Sequence, residues 1–175
     1  TFSKVLCWVA AQRGARLARL FARDGKADRW QQWAHAEADT ILRRAYNEEL
    51  GFFTQAFDGR HPDASNLLLP TLGIVEARDP RFISTVRAYE KRLVDDGLML
   101  RYRHPDDLGE TTTAFSVCSF WWAEALAMIG ELEAAVEVFN RLLTYATRSG
   151  CSRRTSTRRP GSCWETFHRH TRTSA

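Results

Sequence analysis

Apolar residues return at helical spacing along most of residues 1–146. Leu6, Val9, Ala10, Leu17, Leu20 and Phe21, with Arg residues between them, predict a helix over residues 3–22, stopped at Asp24-Gly25. Trp30, Ala34, Ala38, Ile41 and Ala45 share one stripe of a second helix over 27–46. The aromatic, turn-flanked stretch 50–59 reads as extended. Asp63 or Ser65 can cap a short helix through Leu69, with Pro70 within or ending it. Asp79-Pro80 opens a helix to about Val94, and 99–103 alternates like a short strand. Helices over 113–129 and 132–146 follow, separated by Gly130. The prediction is all-α: six helices in three antiparallel pairs.

Composition changes this picture at one place. The chain of 175 residues carries a formal charge of +4, which invites a nucleic-acid reading. Residues 147–175 hold seven of the 25 basic residues and one of the 21 acidic ones, so 1–146 carry 18 basic against 20 acidic, or −2. The tail has 11 Ser plus Thr and no Leu, Ile, Val or Met, so it is expected to be disordered. No basic surface in 1–146 asks for DNA or RNA, and no nucleic-acid partner is expected. No apolar run approaches the ~20 residues of a bilayer-crossing helix, and no signal peptide is visible. A cytoplasmic protein without a membrane partner is therefore expected.

Candidate chemistry is sparse. Cys7 and Cys118 lie in apolar helical stretches and read as core residues. Cys151 and Cys163 with His168 and His170 lack zinc-ligand spacing, so no metal is expected. Residues 126–143 form a helix–Gly–helix unit like one tetratricopeptide repeat, without a second copy upstream. A helical-repeat interaction module is the alternative reading. Two stretches set polar groups beside aromatics: 101–110, with Arg101, Tyr102, Arg103, His104, Asp106, Asp107 and Glu110, and 53–65, with Gln55, Asp63 and Ser65. Such groups bind sugar hydroxyls in one reading and are solvated charges and caps in the other.

Five stretches in order carry a resemblance: Ser3–Ala10 (SKVLCWVA), Leu50–Ala56 (LGFFTQA), Asp63–Pro70 (DASNLLLP), Leu100–Arg103 (LRYR) and Phe115–Trp121 (FSVCSFW). Residues 1–146 thereby resemble the C-terminal part of the catalytic domain of glycoside hydrolase family 15, the glucoamylases and bacterial trehalases. The resemblance implies part of an (α/α)6 barrel with a pocket at one end, inverting hydrolysis of α-glucosidic bonds, and an α-glucoside or oligosaccharide as substrate. It implies no cofactor for the chemistry itself, although some trehalases use phosphate and magnesium. By the same resemblance Arg103 and Arg101 are the first candidates for substrate contact. Asp107, Glu110 and Lys4 follow, while Trp121 packs between helices. Three threonines after Glu110 break the family's spacing there.

Inverting hydrolysis needs two carboxyls about 6.5–9.5 Å apart. The family's acid is a Glu in a W-E motif that falls before Thr1, and its base is a Glu soon after Leu143, where the tail shows no such motif. Reading the tail codons from their third base, with suitable synonymous choices, turns Cys151 onward into L-A-E-D-V-D-P-E-T-G-E-L-L-G-N-F-P-Q-A-Y-S-H-I-G. That is the family's pattern at this place, with the base codon spanning Arg153 and Arg154. The expectation is a frame change near Ala146, a non-native tail at 147–175, and a fragment that lacks both catalytic carboxyls and needs an N-terminal barrel half.

Overall fold

The computed structural model describes residues 1–105, 109, 113–145 and 155–156. Three helix pairs form the body. Helix α1 (Phe2–Leu20) and helix α2 (Asp24–Ala45) run antiparallel, with Lys4–Glu37 (3.2 Å) and Arg19–Asp28 (3.6 Å) ion pairs toward opposite ends. They approach closely where Gly14 leaves room for the Trp30 ring: a Cβ on Gly14 would sit 2.4 Å from it. The second pair is a 3-10 helix (Ala64–Leu68) running into the single turn α3 (Leu69–Leu72), followed by α4 (Pro80–Leu93). The third is α5 (Ser116–Ile129) and α6 (Leu132–Thr144), turned by Gly130 in the left-handed region (φ 98°). The middle pair lies between the others: α1 touches α3, while α5 touches the 3-10 helix and α4.

The caps follow the sequence. Asp63 accepts from the Ser65 backbone N–H (2.9 Å), and Asp79 from that of Arg81 (2.8 Å), with Pro80 in the first turn. The extended segments differ from expectation. The stretch read as extended over 50–59 contributes only β2 (Phe52–Phe53), which pairs antiparallel with β1 (Tyr46–Asn47). The strand read over 99–103 is β4 (Leu98–Met99), paired with β3 (Val94–Asp95). Its two-residue turn is Asp96-Gly97, both at positive φ (47° and 71°), the geometry an Asp-Gly hairpin favours. That dipeptide was the available signal for β3. Each hairpin closes the C-terminus of an outer helix, α2 or α4, and hands the chain back toward an inner helix. A further strand, β5 (Thr113–Ala114), pairs antiparallel with β6 (Thr155–Ser156), which is the described part of the tail.

The helical stripes are present, but they do not all face inward. Val9 of the α1 stripe is buried, whereas Leu6, Leu17 (54 % exposed), Leu20 (74 %) and Phe21 (75 %) are not; α1 packs instead through Val5, Trp8, Val9, Ala15 and Ala18. Of the α2 stripe, Ala34, Ile41 and Ala45 are buried, and Trp30 is exposed over Gly14. Cys118 is buried as expected. Cys7 is exposed, because it falls between the two faces of α1 rather than on the packed one.

The core gathers on Phe52, Phe53, Phe82, Leu67, Leu126 and the fully buried Tyr89. The Tyr89 hydroxyl donates to the Phe53 carbonyl (2.5 Å) and accepts from Asn66 Nδ2 (3.0 Å) and the Asp63 N–H (3.3 Å). Without it, two buried donors and one buried carbonyl lose a partner. Tyr89→Phe is therefore expected to cost about 1–3 kcal/mol, read as a lower denaturant midpoint. An unchanged midpoint would show that this hydroxyl does not tie the core.

Candidate functional site

The chain's connections place its polar loops at one end. The loop after β2 (54–63) and the loop after β4 (100–105) both lead toward the N-termini of inner helices. Contacts join those termini: the Thr1 main-chain nitrogen donates to the Gln55 carbonyl (2.5 Å), the Ala64 N–H to the Arg101 carbonyl (2.9 Å), and the Met99 N–H to Ser119 Oγ (2.8 Å). The three inner helices α1, the 3-10 helix and α5 thus begin at the same end, where Gln55, His61, Asp63, Arg101, Tyr102 and His104 collect.

Asp63 and Arg101 form the centre of this cluster. Arg101 Nε donates to Asp63 Oδ1 at 2.7 Å and Nη2 to Oδ2 at 3.4 Å. Oδ1 also accepts from the Ser65 N–H (2.9 Å) and Ser65 Oγ (2.7 Å). The Asp63 side chain is 9 % exposed and that of Arg101 35 %, so the carboxylate is held inside and the guanidinium reaches the surface. Burial opposes the charge on Arg101, but the hydrogen bond and charge of Asp63 outweigh it and raise its pKa above the ordinary value. The guanidinium carbon lies 5.9 Å from the Trp121 ring centroid, so Trp121 backs the arginine while it packs against the core. Beside them, His104 Nε2 and Gln55 Oε1 are 2.7 Å apart, Tyr102 stacks on His104 (centroids 4.7 Å), and His61 tilts against it (4.9 Å). Charged and amide groups next to aromatic rings suit the binding of a polyhydroxylated ligand.

The structure separates the candidates drawn from sequence. Arg101 is in the cluster. Arg103 turns to the outer hairpin, where Nη2 donates to the Val94 carbonyl (3.2 Å) and lies 3.5 Å from Asp95. Lys4 pairs with Glu37 across the α1–α2 contact. Asp107 and Glu110 lie outside the described residues, as do Cys151, Cys163, Arg153 and Arg154. His61 is not singled out by the sequence, and Tyr102 enters there only as a member of the 101–110 stretch; the loop packing places both beside His104, which meets Gln55. Among the described residues no three His, Cys, Asp or Glu side chains gather as a metal site.

Residues 1–168 match the family described as Glycosyl hydrolases family 15. The chain belongs to this family. It is 38% identical over 150 residues to the trehalase of Mycolicibacterium smegmatis and 39% identical to that of Mycobacterium tuberculosis. Each alignment covers 84% of this chain and 22% of the relative, so the chain spans about a fifth of those proteins' length. The trehalase of Thermoplasma volcanium is 29% identical over 85% of this chain and 24% of its own length. Among solved structures, a glycosidase variant in complex with glucose superposes with a TM-score of 0.63 at 18% identity, over 71% of this chain and 33% of that one. A wild-type glycosidase gives 0.60 at 20% identity with the same coverage. The arc of helix pairs is a partial (α/α)6 barrel, and the family is one of glycoside hydrolases.

Two outcomes test the site as built. Asp63→Asn removes the charge that holds Arg101, and is expected to cost about 1–2 kcal/mol of stability once the solvent reaching Arg101 is allowed for. Equilibrium denaturation measures it, and a variant as stable as the parent would show that the pair does not hold the loops. Burial pushes the Cys118 thiol up to about 12, with Arg101 opposing that shift, while Cys7 is exposed. Iodoacetamide at about pH 8 is expected to label Cys7 and spare Cys118 in the folded chain, as read by peptide mass mapping. Equal labelling would show that α5 is not packed as described.

Proposed function

We propose that residues 1–146 form the sugar-binding wall of a trehalase-like α-glucosidase. The carrying observation is the Asp63–Arg101 pair, backed by Trp121 and flanked by Gln55 and His104, at the end of the partial barrel where the inner helices begin. The likeness to two mycobacterial proteins named trehalase supports trehalose, rather than a maltooligosaccharide, as the ligand in this reading. Arg101 is the first substrate contact in this reading. Its fork donates to neighbouring hydroxyls, Asp63 keeps it oriented, and Gln55 and His104 meet the same glucose unit. Arg103, Asp107, Glu110 and Lys4 are secondary candidates.

Hydrolysis is a separate matter. At the described site Asp63 is the carboxylate, and its oxygens are committed to Ser65 and Arg101. It is therefore not the general acid or the water-activating base that inversion needs. The 175 residues by themselves are proposed to bind sugar without turning it over, since general acid–base catalysis contributes about 10²–10⁴-fold. The tail reading supports this: a frame change near Ala146 removes the base Glu, which makes 147–175 a non-native segment. A cytoplasmic setting goes with the free thiols of Cys7 and Cys118.

The expected result is a set of amide shifts in the loops 54–63 and 100–104 when trehalose or glucose is titrated into isotopically labelled chain, lost in Arg101→Ala, with no glucose released from trehalose. Shifts that survive the substitution would remove Arg101 from the site. Glucose release above the blank would overturn the inactivity.

A further inference from the structure

The loop 54–63 carries Gln55 and His61 into the polar cluster, yet its shape is set from the outer helix α2. The neck of the loop is closed by the Gln55 N–H, which donates to the His61 carbonyl (2.8 Å). The tip turns through Asp58 at φ 55°, in the left-handed region that an L side chain adopts only at a cost. Among the described residues three non-glycines have positive φ, Ala22, Asp58 and Asp96, and Asp58 is the one in a loop of the cluster. Backbone of this kind persists where the surrounding contacts over-determine it.

Those contacts come from the last turn of α2. The Asp58 N–H donates to the Arg44 carbonyl (2.8 Å), and Arg44 donates back to Asp58 Oδ2 from Nε (3.0 Å) and Nη2 (2.5 Å). The Arg44 guanidinium also covers the Phe57 ring, 5.1 Å from its centroid. Hydrogen bonding to Arg44 holds the Asp58 carboxyl below the usual carboxylate range, so the pair stays charged. Next in the chain is Gly59, where a Cβ would sit 2.9 Å from the Ala56 carbonyl, and Asn47 Nδ2 of β1 donates to the Gly59 carbonyl (3.1 Å). The side chains of Arg44 and Asp58 are 48% and 62% exposed. An ion pair so open to solvent adds little to global stability. Its effect is local, on the opening of one loop.

We infer that Arg44 and Asp58 are positioning residues of the sugar site. They fix the loop tip so that Gln55 Oε1 meets His104 Nε2 (2.7 Å) and the His61 ring lies against that of His104 (4.9 Å). The ligand then meets a loop already in its bound shape, and binding does not bear the cost of ordering it. The consequence for binding rests on the sugar reading of the cluster; the hold on the loop rests on its geometry, and the two are measured separately.

Hydrogen exchange of the Gln55 amide reads the loop without sugar. Arg44→Ala and Asp58→Ala are each expected to speed it by about two- to fivefold, the range an exposed ion pair supports. The Leu100 amide, bonded to the Leu93 carbonyl (2.9 Å) away from this loop, should exchange as before. Asp58→Asn, which tolerates the left-handed region but carries no charge, should fall between Asp58→Ala and the parent. In titrations with trehalose or glucose the same variants should raise the dissociation constant in the same order, with an unchanged denaturant midpoint. Equal Gln55 exchange in parent and variants would overturn the inference, as would faster exchange with an unchanged dissociation constant. A parent chain that binds neither sugar would overturn the sugar reading and with it the role in binding, while the exchange rates would still show what holds the loop.

Discussion

The buried hydroxyl of Tyr89 is the point on which the rest depends. It joins α4 to the end of β2 and to the 3-10 helix with its cap Asp63, segments separated along the chain by loops. Burial raises its pKa, helped slightly by the Asp63 charge, so it stays a neutral donor and acceptor. An apolar side chain of the same size would fill the space, but it could not set the direction of the chain at Phe53, Thr54 and Asp63. The direction at Asp63 places its carboxylate, and the carboxylate places Arg101. A core contact in this way reaches the surface through two hydrogen-bonded steps.

Around that point the packing is uneven. The middle of the molecule is closed by aromatic and branched side chains, and Arg87 of α4 pairs with Glu90 one turn further along α4 and with Glu131 at the start of α6, while Trp122 of α5 donates to Glu90. The flanks are unlike this. Helices α1 and α6 have apolar residues on two faces, and only one of each is used. A helix apolar on two sides belongs between neighbours, which is the situation of every helix pair in a closed (α/α)6 barrel.

Helices were legible because their signals are local. Asp63 and Asp79 as caps, Pro80 in a first turn and Gly130 at a reversal act within a few residues of themselves, and each is where it was expected. The short strands were misplaced because two-residue strands have no period to read; the Asp96-Gly97 turn was their better marker. Arg101 and Arg103 illustrate the limit at the site. The resemblance puts Arg103 ahead of Arg101, yet it is Arg101 that meets Asp63, while Arg103 meets Val94 and Asp95.

The sequence by itself determined the helical class, the order of the helices and the family. These depend on periodicity, on caps and on ordered motifs, all of which are written along the chain. Only the tertiary structure decided which apolar stripe of α1 is buried, which arginine joins the polar cluster, and that His61, Tyr102 and His104 stack beside Gln55. Those outcomes come from contacts between residues tens of positions apart. Such contacts form when the inner helices align at one end, and no local pattern encodes that alignment.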